Sequence, residues 1–127
     1  MKDEIKIKWF KQPQDLDYPA AKSYLNLLYD DTVATNLTNQ LKKGSPAEFK
    51  AKDIFRASGL SLLGISNYHV AKYRKKIKKG MGISPILLVR DTTNGKVIIA
   101  DGFHRLCAVY SFDEDVMIPC RLSLIHI

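Results

Sequence analysis

The chain has 127 residues, of which 46% are hydrophobic and 26% charged, and its formal net charge at pH 7 is +7. No Pro/Gly/Ser-rich linker or internal repeat divides it, so we expect one domain over residues 1–127. The first residues lack the apolar region of a signal peptide, and no apolar run approaches the roughly 18 residues that a membrane helix needs. These features predict a soluble, cytoplasmic protein without a membrane partner.

The first 45 residues predict a helical extension. Ile5–Phe10 is predicted as a short edge strand, and two helices follow it. The helices are expected to separate where Asp31 or Thr32 provides an N-cap. Their apolar residues are Tyr24, Leu25, Leu27 and Leu28, followed by Val33, Leu37 and Leu41.

The middle of the chain carries the excess of positive charge, with nine basic and two acidic residues between positions 46 and 82. Alternating residues over Phe49–Phe55 predict a strand, with a helix over Lys52–Ala57 as the alternative, and Ser58–Leu63 predicts a short helical turn. A second helix is predicted over residues 67–79, because its apolar residues follow helical spacing. Ser66 or Asn67 is its expected cap.

Most of the positive charge lies on this predicted basic helix. Its exposed lysines would attract polyphosphates, which makes DNA, RNA or another anionic ligand a possible partner. A solvated face is the alternative interpretation, because cations near a helix C-terminus stabilise the helix dipole. The candidate contacts are Lys72, Lys75, Lys76 and Lys79.

The last third of the chain predicts a hairpin, a helix and a final strand. The continuous apolar run Pro85–Val89 predicts a buried strand, and a turn leads from it to Lys96–Ala100. A helix is expected from Phe103 to about Phe112, and Met117–Leu124 is the last strand. Together the elements predict an α+β fold in which helices pack against a small mixed sheet.

The residues that join the predicted strand to the following helix are the most informative in the chain. They place His104 and Arg105 in the first turn of a helix, although exposed N–H groups and the macrodipole normally favour acidic residues there. Two basic side chains at this position indicate that an anion is the partner. A phosphate bound by backbone N–H groups, Arg105 and His104 fits. The pattern predicts phosphate or nucleotide recognition.

Each residue of this turn has a functional and a structural interpretation. Arg105 is the expected main phosphate ligand, with a salt bridge to an acidic residue at 113–115 as the alternative. His104 would donate to the phosphate or a leaving group, or serve as a capping or core imidazole. Asp101 caps the helix or acts as general base or magnesium ligand.

The other two residues of the turn are candidate nucleotide-binding positions. Gly102 allows the backbone to approach a phosphate closely, or merely to approach the neighbouring strand. Phe103 is a core or lid aromatic residue, or packs near a base.

The cysteines and histidines do not predict a metal site. Cys107 and Cys120 lie in apolar surroundings, which indicates buried free thiols rather than a disulfide. His69, His104 and His126 show no metal-ligand spacing relative to the cysteines or to one another.

The turn resembles a known motif. Gly102, Arg105 and Ala108 match the Gly-Glu-Arg-Arg-x-x-Ala signature of the ParB N-terminal domain, in which Phe103 and His104 replace the Glu and the first Arg. The Gly-Cys-His-Arg stretch of the related sulfiredoxins matches except at Phe103, where they have the reducing cysteine. The Asp-Gly-His-His-Arg stretch of the ADP-dependent free serine kinases is also similar and includes the preceding aspartate.

The resemblance covers residues 48–124. It implies a ParB/sulfiredoxin-like core over residues 46–127, preceded by the extension over residues 1–45, which is loosely similar to small bacterial ParB-like proteins. It also implies that the turn binds nucleotide phosphates, with ATP, ADP or CTP and Mg²⁺ as ligands. Phe103 argues against sulfiredoxin-type reduction. A ParB-type CTP clamp needs a helix-turn-helix domain that does not follow Ile127, so we expect the binding module alone.

Three functions remain open. The first is a phosphate- or nucleotide-binding domain with NTPase, kinase or phosphodiesterase chemistry, in which Asp101 and His104 are the candidate catalytic residues. The second is a nucleic-acid-binding module, or ParB-like nuclease, that uses the basic helix. The third is a non-catalytic regulatory protein whose first 45 residues form an interaction surface. We expect the first, with catalysis left open.

Overall fold

The structure, a computed structural model, describes residues 5–124 and contains five helices and four strands in that part of the chain. The predicted α+β class is confirmed. In chain order the elements are α1 (Asp17–Leu28), α2 (Asp31–Lys43), β1 (Pro46–Lys50), α3 (Ala51–Ser58), α4 (Tyr68–Lys78), β2 (Ile86–Asp91), β3 (Lys96–Asp101), α5 (Phe103–Phe112) and β4 (Met117–Leu124).

The four strands form one mixed sheet in the order β1-β4-β2-β3. The pairs β1–β4 and β2–β3 are antiparallel, whereas β2 and β4 are parallel. Pro119 lies near the start of β4, where it is opposite Glu48 of β1. The next residue, Cys120, is the first in β4 that pairs with β2. In chain order α5 connects β3 to β4, so it begins at the end of β3.

Both faces of the sheet are covered by helices, which explains the continuous apolar run in β2. Leu87 and Val89 pack with α1 and α2, whereas Ile86 and Leu88 pack with α3, α4 and α5. The first cluster also contains Ala21, Leu25, Ala34, Leu37, Leu41, Ile98 and Ala100. α1 and α2, predicted as a helical extension, therefore form one of three layers. Without them, the apolar side chains of this cluster would be exposed to water.

Three local predictions in the first half were wrong. Ile5–Phe10 forms no strand. It contributes a single isolated β-bridge, between Trp9 and Ile83. The N-cap of α2 is Asp30, one residue earlier than predicted, and its carboxylate accepts the N–H of Val33 at 2.9 Å. No helical turn follows α3, because Gly59 ends that helix in the left-handed conformation.

The segment predicted as a strand over Phe49–Phe55 divides at Lys50. Residues up to Lys50 belong to β1, and the alternative prediction of a helix is right beyond it. The N–H groups of Ala51 and Lys52 donate to carbonyls of the segment before β4, which fixes the point where the strand becomes a helix. The remaining elements agree with expectation: Asn67 caps α4, and the hairpin, α5 and β4 lie where predicted.

The cysteines are buried free thiols, as predicted. Burial raises the pKa of Cys120 to about 12 and also raises the pKa of Cys107, so neither is disposed to form a thiolate. Among the described residues, no helix is long and apolar enough to cross a bilayer.

Replacing Leu25 with alanine is expected to lower the free energy of unfolding by about 2–5 kcal/mol, because this α1 side chain is fully buried in the core. Leu27, another of the apolar residues from which this helix was predicted, is 82% exposed. Leu27→Ala is thus the matched control, with an expected change within about 0.5 kcal/mol. Urea unfolding followed by circular dichroism measures both, and equal effects would contradict the packing of α1 on the sheet.

Candidate functional site

The turn between β3 and α5 depends on Gly102. Its φ of 106° lies in the left-handed region, which favours glycine. A Cβ atom there would lie 2.8 Å from Arg105 Nη2 and 3.0 Å from Ile86 Cγ1. Both the backbone and the close packing therefore require glycine, in agreement with its predicted approach to a neighbouring strand.

The first turn of α5 lacks a side-chain cap. Gly102 is the N-cap residue, and its carbonyl accepts the N–H of Leu106 at 2.9 Å. The N–H groups of Phe103, His104 and Arg105 come before that of Leu106, and N–H groups at these positions have no acceptor within their own helix. The turn also contains no acidic side chain to interact with the positive end of the helix dipole, and the carboxyl group of Asp101, just before it, is paired with Arg105.

Asp101 does not cap α5, contrary to one of its predicted roles. Its Oδ2 atom accepts a hydrogen bond from Nη2 of Arg105 at 3.1 Å, within a buried ion pair. The i, i+4 spacing across the start of the helix directs the carboxylate to the guanidinium rather than to the free N–H groups.

The guanidinium of Arg105 is enclosed by the protein, with 7% of its side chain exposed. Besides bonding Asp101, Nη2 donates to the carbonyl of Pro85 at 3.2 Å, and Nη1 lies 3.9 Å from Oδ1 of Asp17 in α1. The expected main phosphate ligand thus has its charge compensated internally. The predicted alternative of a salt bridge was right in kind but wrong in its partners, which are not residues 113–115.

The carboxyl group of Asp101 has a raised pKa. Burial is the main cause, and Asp17 adds to it through its charge and a hydrogen bond, whereas Arg105 acts in the opposite direction. Burial prevails because one guanidinium is shared by two carboxyl groups. A raised pKa brings Asp101 closer to the range in which a carboxylate can accept a proton from a bound substrate.

A cleft of about 400 Å³ opens in front of the α5 N-terminus. One end is polar and contains Asp101 and His104, whereas the walls are mostly apolar and include Tyr24 of α1 and Leu60 of the loop after α3. This size and lining are typical of sites for small molecules. The remaining lining residues are Ala20, Ile99, Ala100, Gly102 and Phe103.

His104 contacts a second histidine that the sequence analysis did not select. The ring centroids of His104 and His69 are 4.8 Å apart, and Tyr68 packs edge-on against His69. Burial, and then the neighbouring His69, lower the pKa of His104. The two histidines are 35 positions apart in the sequence, so no local pattern could pair them.

Phe103 has a structural role at the edge of the cleft. It packs edge-on against Phe55 of α3, with ring centroids 6.1 Å apart, and also lines the cleft. Its predicted role as a core or lid residue agrees with this position.

The four candidate lysines, three in α4 and Lys79 directly after it, divide into two groups. Lys72, Lys75 and Lys79 are exposed, as expected for candidate contacts to an anion. Lys76 is half-buried, and its ammonium group lies over the ring of Tyr73, 5.3 Å from the centroid. Lys76 is therefore less available to a ligand than the sequence indicated.

The described residues contain no group of three or more His, Cys, Asp or Glu side chains that could hold a metal ion. His126, considered in the sequence analysis, lies outside them. If Mg²⁺ bound here, as the resemblance implies, Asp101 would be the carboxylate ligand at the polar end of the cleft, and phosphate oxygens of a nucleotide would have to supply further ligands.

Comparisons with protein-family models, curated proteins and solved structures give no match to this chain. The geometry of the site is therefore the basis for the functional proposal.

Replacing Arg105 with methionine is expected to cost about 3–5 kcal/mol at neutral pH, because the buried carboxyl group of Asp17 and the partly buried one of Asp101 lose their cation. The loss should shrink as the pH falls, because Asp101 then protonates and no longer needs a counter-charge. The control is Arg56→Met, which removes an 82% exposed arginine paired with Asp53 and should cost at most about 1 kcal/mol. Urea unfolding at several pH values measures both, and a loss independent of pH would contradict the ion-pair role.

Proposed function

We propose that this chain binds a nucleotide or another phosphate monoester in the cleft at the start of α5. The observation that carries the proposal is an uncapped helix N-terminus that opens into a cleft large enough for such a ligand. The resemblance of residues 101–105 to the phosphate-binding turn of ParB and sulfiredoxins supports the same ligand.

The phosphate would occupy the polar end of the cleft. The N–H groups of residues 103–105 are its donors, and His104 adds a side-chain donor. Arg105 acts indirectly here: its single positive charge offsets part of the negative charge of Asp101 and Asp17, which would otherwise repel an anion more strongly. The arginine thus maintains the site rather than contacting the ligand.

The apolar part of the cleft suits a base. Tyr24 is 39% exposed and offers a ring for stacking, and Leu60 is an apolar residue on another part of the wall. Inorganic phosphate would use only the polar end, so a comparison of phosphate with nucleotides separates the two halves of the cleft.

Replacing Tyr24 with alanine should weaken nucleotide binding by about 1–3 kcal/mol, the usual contribution of one stacked base, and leave inorganic phosphate binding unchanged. Titration calorimetry with phosphate, ADP, ATP and CTP, with and without Mg²⁺, measures this. Leu27→Ala on the same helix lies outside the cleft lining and is the control. No binding of any of these ligands to the unmodified protein would refute the proposal.

Turnover is a separate part of the proposal. Asp101, with its raised pKa, would accept a proton from water or a substrate hydroxyl, and Mg²⁺ would neutralise charge on the phosphates. Asp101→Asn keeps an acceptor for Arg105 but removes the base, so it should abolish phosphate release while nucleotide binding persists. Binding without release in the unmodified protein would instead assign the non-catalytic regulatory role.

Nucleic-acid binding is the second candidate, because α4 begins beside the cleft. Its second residue, His69, contacts His104, and exposed Lys72, Lys75 and Lys79 lie further along the helix. A strand with a terminal phosphate in the cleft could therefore follow α4.

Reversing two charges on α4, with Lys72→Glu and Lys75→Glu, should weaken binding of a single-stranded oligonucleotide and reduce its salt dependence. The matched control is Lys42→Glu with Lys43→Glu, at the end of α2 on the opposite face of the sheet. Fluorescence anisotropy at several salt concentrations measures both. Equal losses in the two double variants would indicate a nonspecific effect of net charge and reject this candidate.

A further inference from the structure

Two imidazole rings meet beside the cleft, although the proposed phosphate site so far includes only one of them. His69 is the second residue of α4 and His104 the second residue of α5. Their ring centroids are 4.8 Å apart and their planes are inclined by 46°. His104 lines the cleft, and His69 is exposed and reaches the cleft only through its contact with His104.

The role of His69 must come from its side chain. Asn67 caps α4 by accepting the N–H groups of His69 and Val70, so the backbone at the start of α4 is already satisfied. The start of α5 has no such cap. A ligand at α5 would therefore meet backbone donors from one helix and an additional imidazole from the other.

The proximity of the rings makes their protonation depend on a ligand. Two imidazolium ions this close repel each other, and both burial and His69 lower the pKa of His104. An anion beside both rings would remove the repulsion and stabilise the protonated, donating form. A dianion favours this more than a monoanion, because it compensates more positive charge.

The other charged and titratable groups near the pair do not replace it. On β3, α5 and α1, Asp101, Arg105 and Asp17 form one ion-pair cluster, in which a single guanidinium offsets part of the charge of two carboxyl groups. Tyr24 of α1 lines the cleft, and Tyr68 of α4 packs against His69. Lys72 follows His69 by three positions on α4. Histidine is the residue type whose charge change falls nearest physiological pH, so the test varies the pH.

We propose that His69 is the second imidazole of the phosphate site, and that His69 and His104 together select a phosphate dianion by taking up a proton when it binds. The inference rests on the proposed function and specifies its ligand as a terminal phosphate group, which can carry two negative charges, rather than a phosphodiester. It also makes binding depend on pH, with tighter binding as the histidines approach protonation.

The test measures binding of inorganic sulfate, inorganic phosphate, ADP and a dialkyl phosphate diester at about pH 6 and about pH 8, on either side of the ordinary histidine pKa. Sulfate is a dianion at both pH values, whereas phosphate and ADP are themselves partly protonated at the lower one. Titration calorimetry in two buffers with different ionisation enthalpies counts the protons taken up. We expect tighter binding of sulfate at the lower pH, proton uptake with phosphate and ADP at the higher pH, where both are dianions, and neither effect with the diester.

His69→Gln should lower the affinity for ADP about tenfold or more at the lower pH, the size expected for one charge-assisted hydrogen bond, and reduce proton uptake. At the higher pH the affinity of the variant for ADP should approach that of the unmodified protein. Lys72→Gln is the matched control, because loss of a permanent charge should change the affinity equally at both pH values. His69 is exposed, so the variant should fold, and circular dichroism checks this.

The outcomes distinguish this inference from the proposed function. If ADP binds but the affinity of His69→Gln matches that of the unmodified protein at both pH values, the inference fails and the proposed function stands. Equal binding of the diester would also overturn it. If neither phosphate nor ADP binds at either pH, both proposals fail. A pair that binds Zn²⁺ but does not affect phosphate affinity would be a chelating site, which likewise overturns the inference.

Discussion

The buried guanidinium of Arg105 is the constraint on which the rest of the site depends. A buried cation is tolerated only with compensating charge and hydrogen bonds, and here Asp101, Asp17 and the carbonyl of Pro85 supply them. These partners come from β3, from α1 and from the residue before β2. One interaction thus fixes the first turn of α5 against the sheet and against the N-terminal helical layer, which sets the position of the cleft between them.

Elements defined by local signals could be predicted from the sequence. The apolar run of β2, the turn that follows and the helix over Phe103–Phe112 agree with the structure because each has its own start and stop residues. The change from strand to helix at Lys50 could not be fixed this way. It depends on hydrogen bonds from Ala51 and Lys52 to carbonyls more than 60 positions away, which local periodicity does not contain.

Only the part of the candidate site that depends on local features could be predicted from the sequence. Gly102 and His104 lie where their motif placed them, because a strand, a glycine and a helix start are all local features. A basic residue at a helix start is compatible with an external anion or an internal carboxylate, and only the fold distinguishes them. For Arg105 the nearest carboxylate, that of Asp101, is only four positions away, whereas the second, that of Asp17, is 88 positions away and on another layer. The contact of His69 with His104 is equally nonlocal.

Internal compensation also reconciles a lining carboxylate with the proposed anion site. An isolated Asp101 would oppose phosphate binding by charge repulsion, but within the ion pair its charge is offset by a guanidinium 3.1 Å away. At the polar end of the cleft, the N–H groups at the start of α5 have no side-chain cap. The positive potential there comes from the backbone rather than from a flexible cation. Because the backbone is fixed before a ligand arrives, binding would not require a long side chain to lose its conformational freedom.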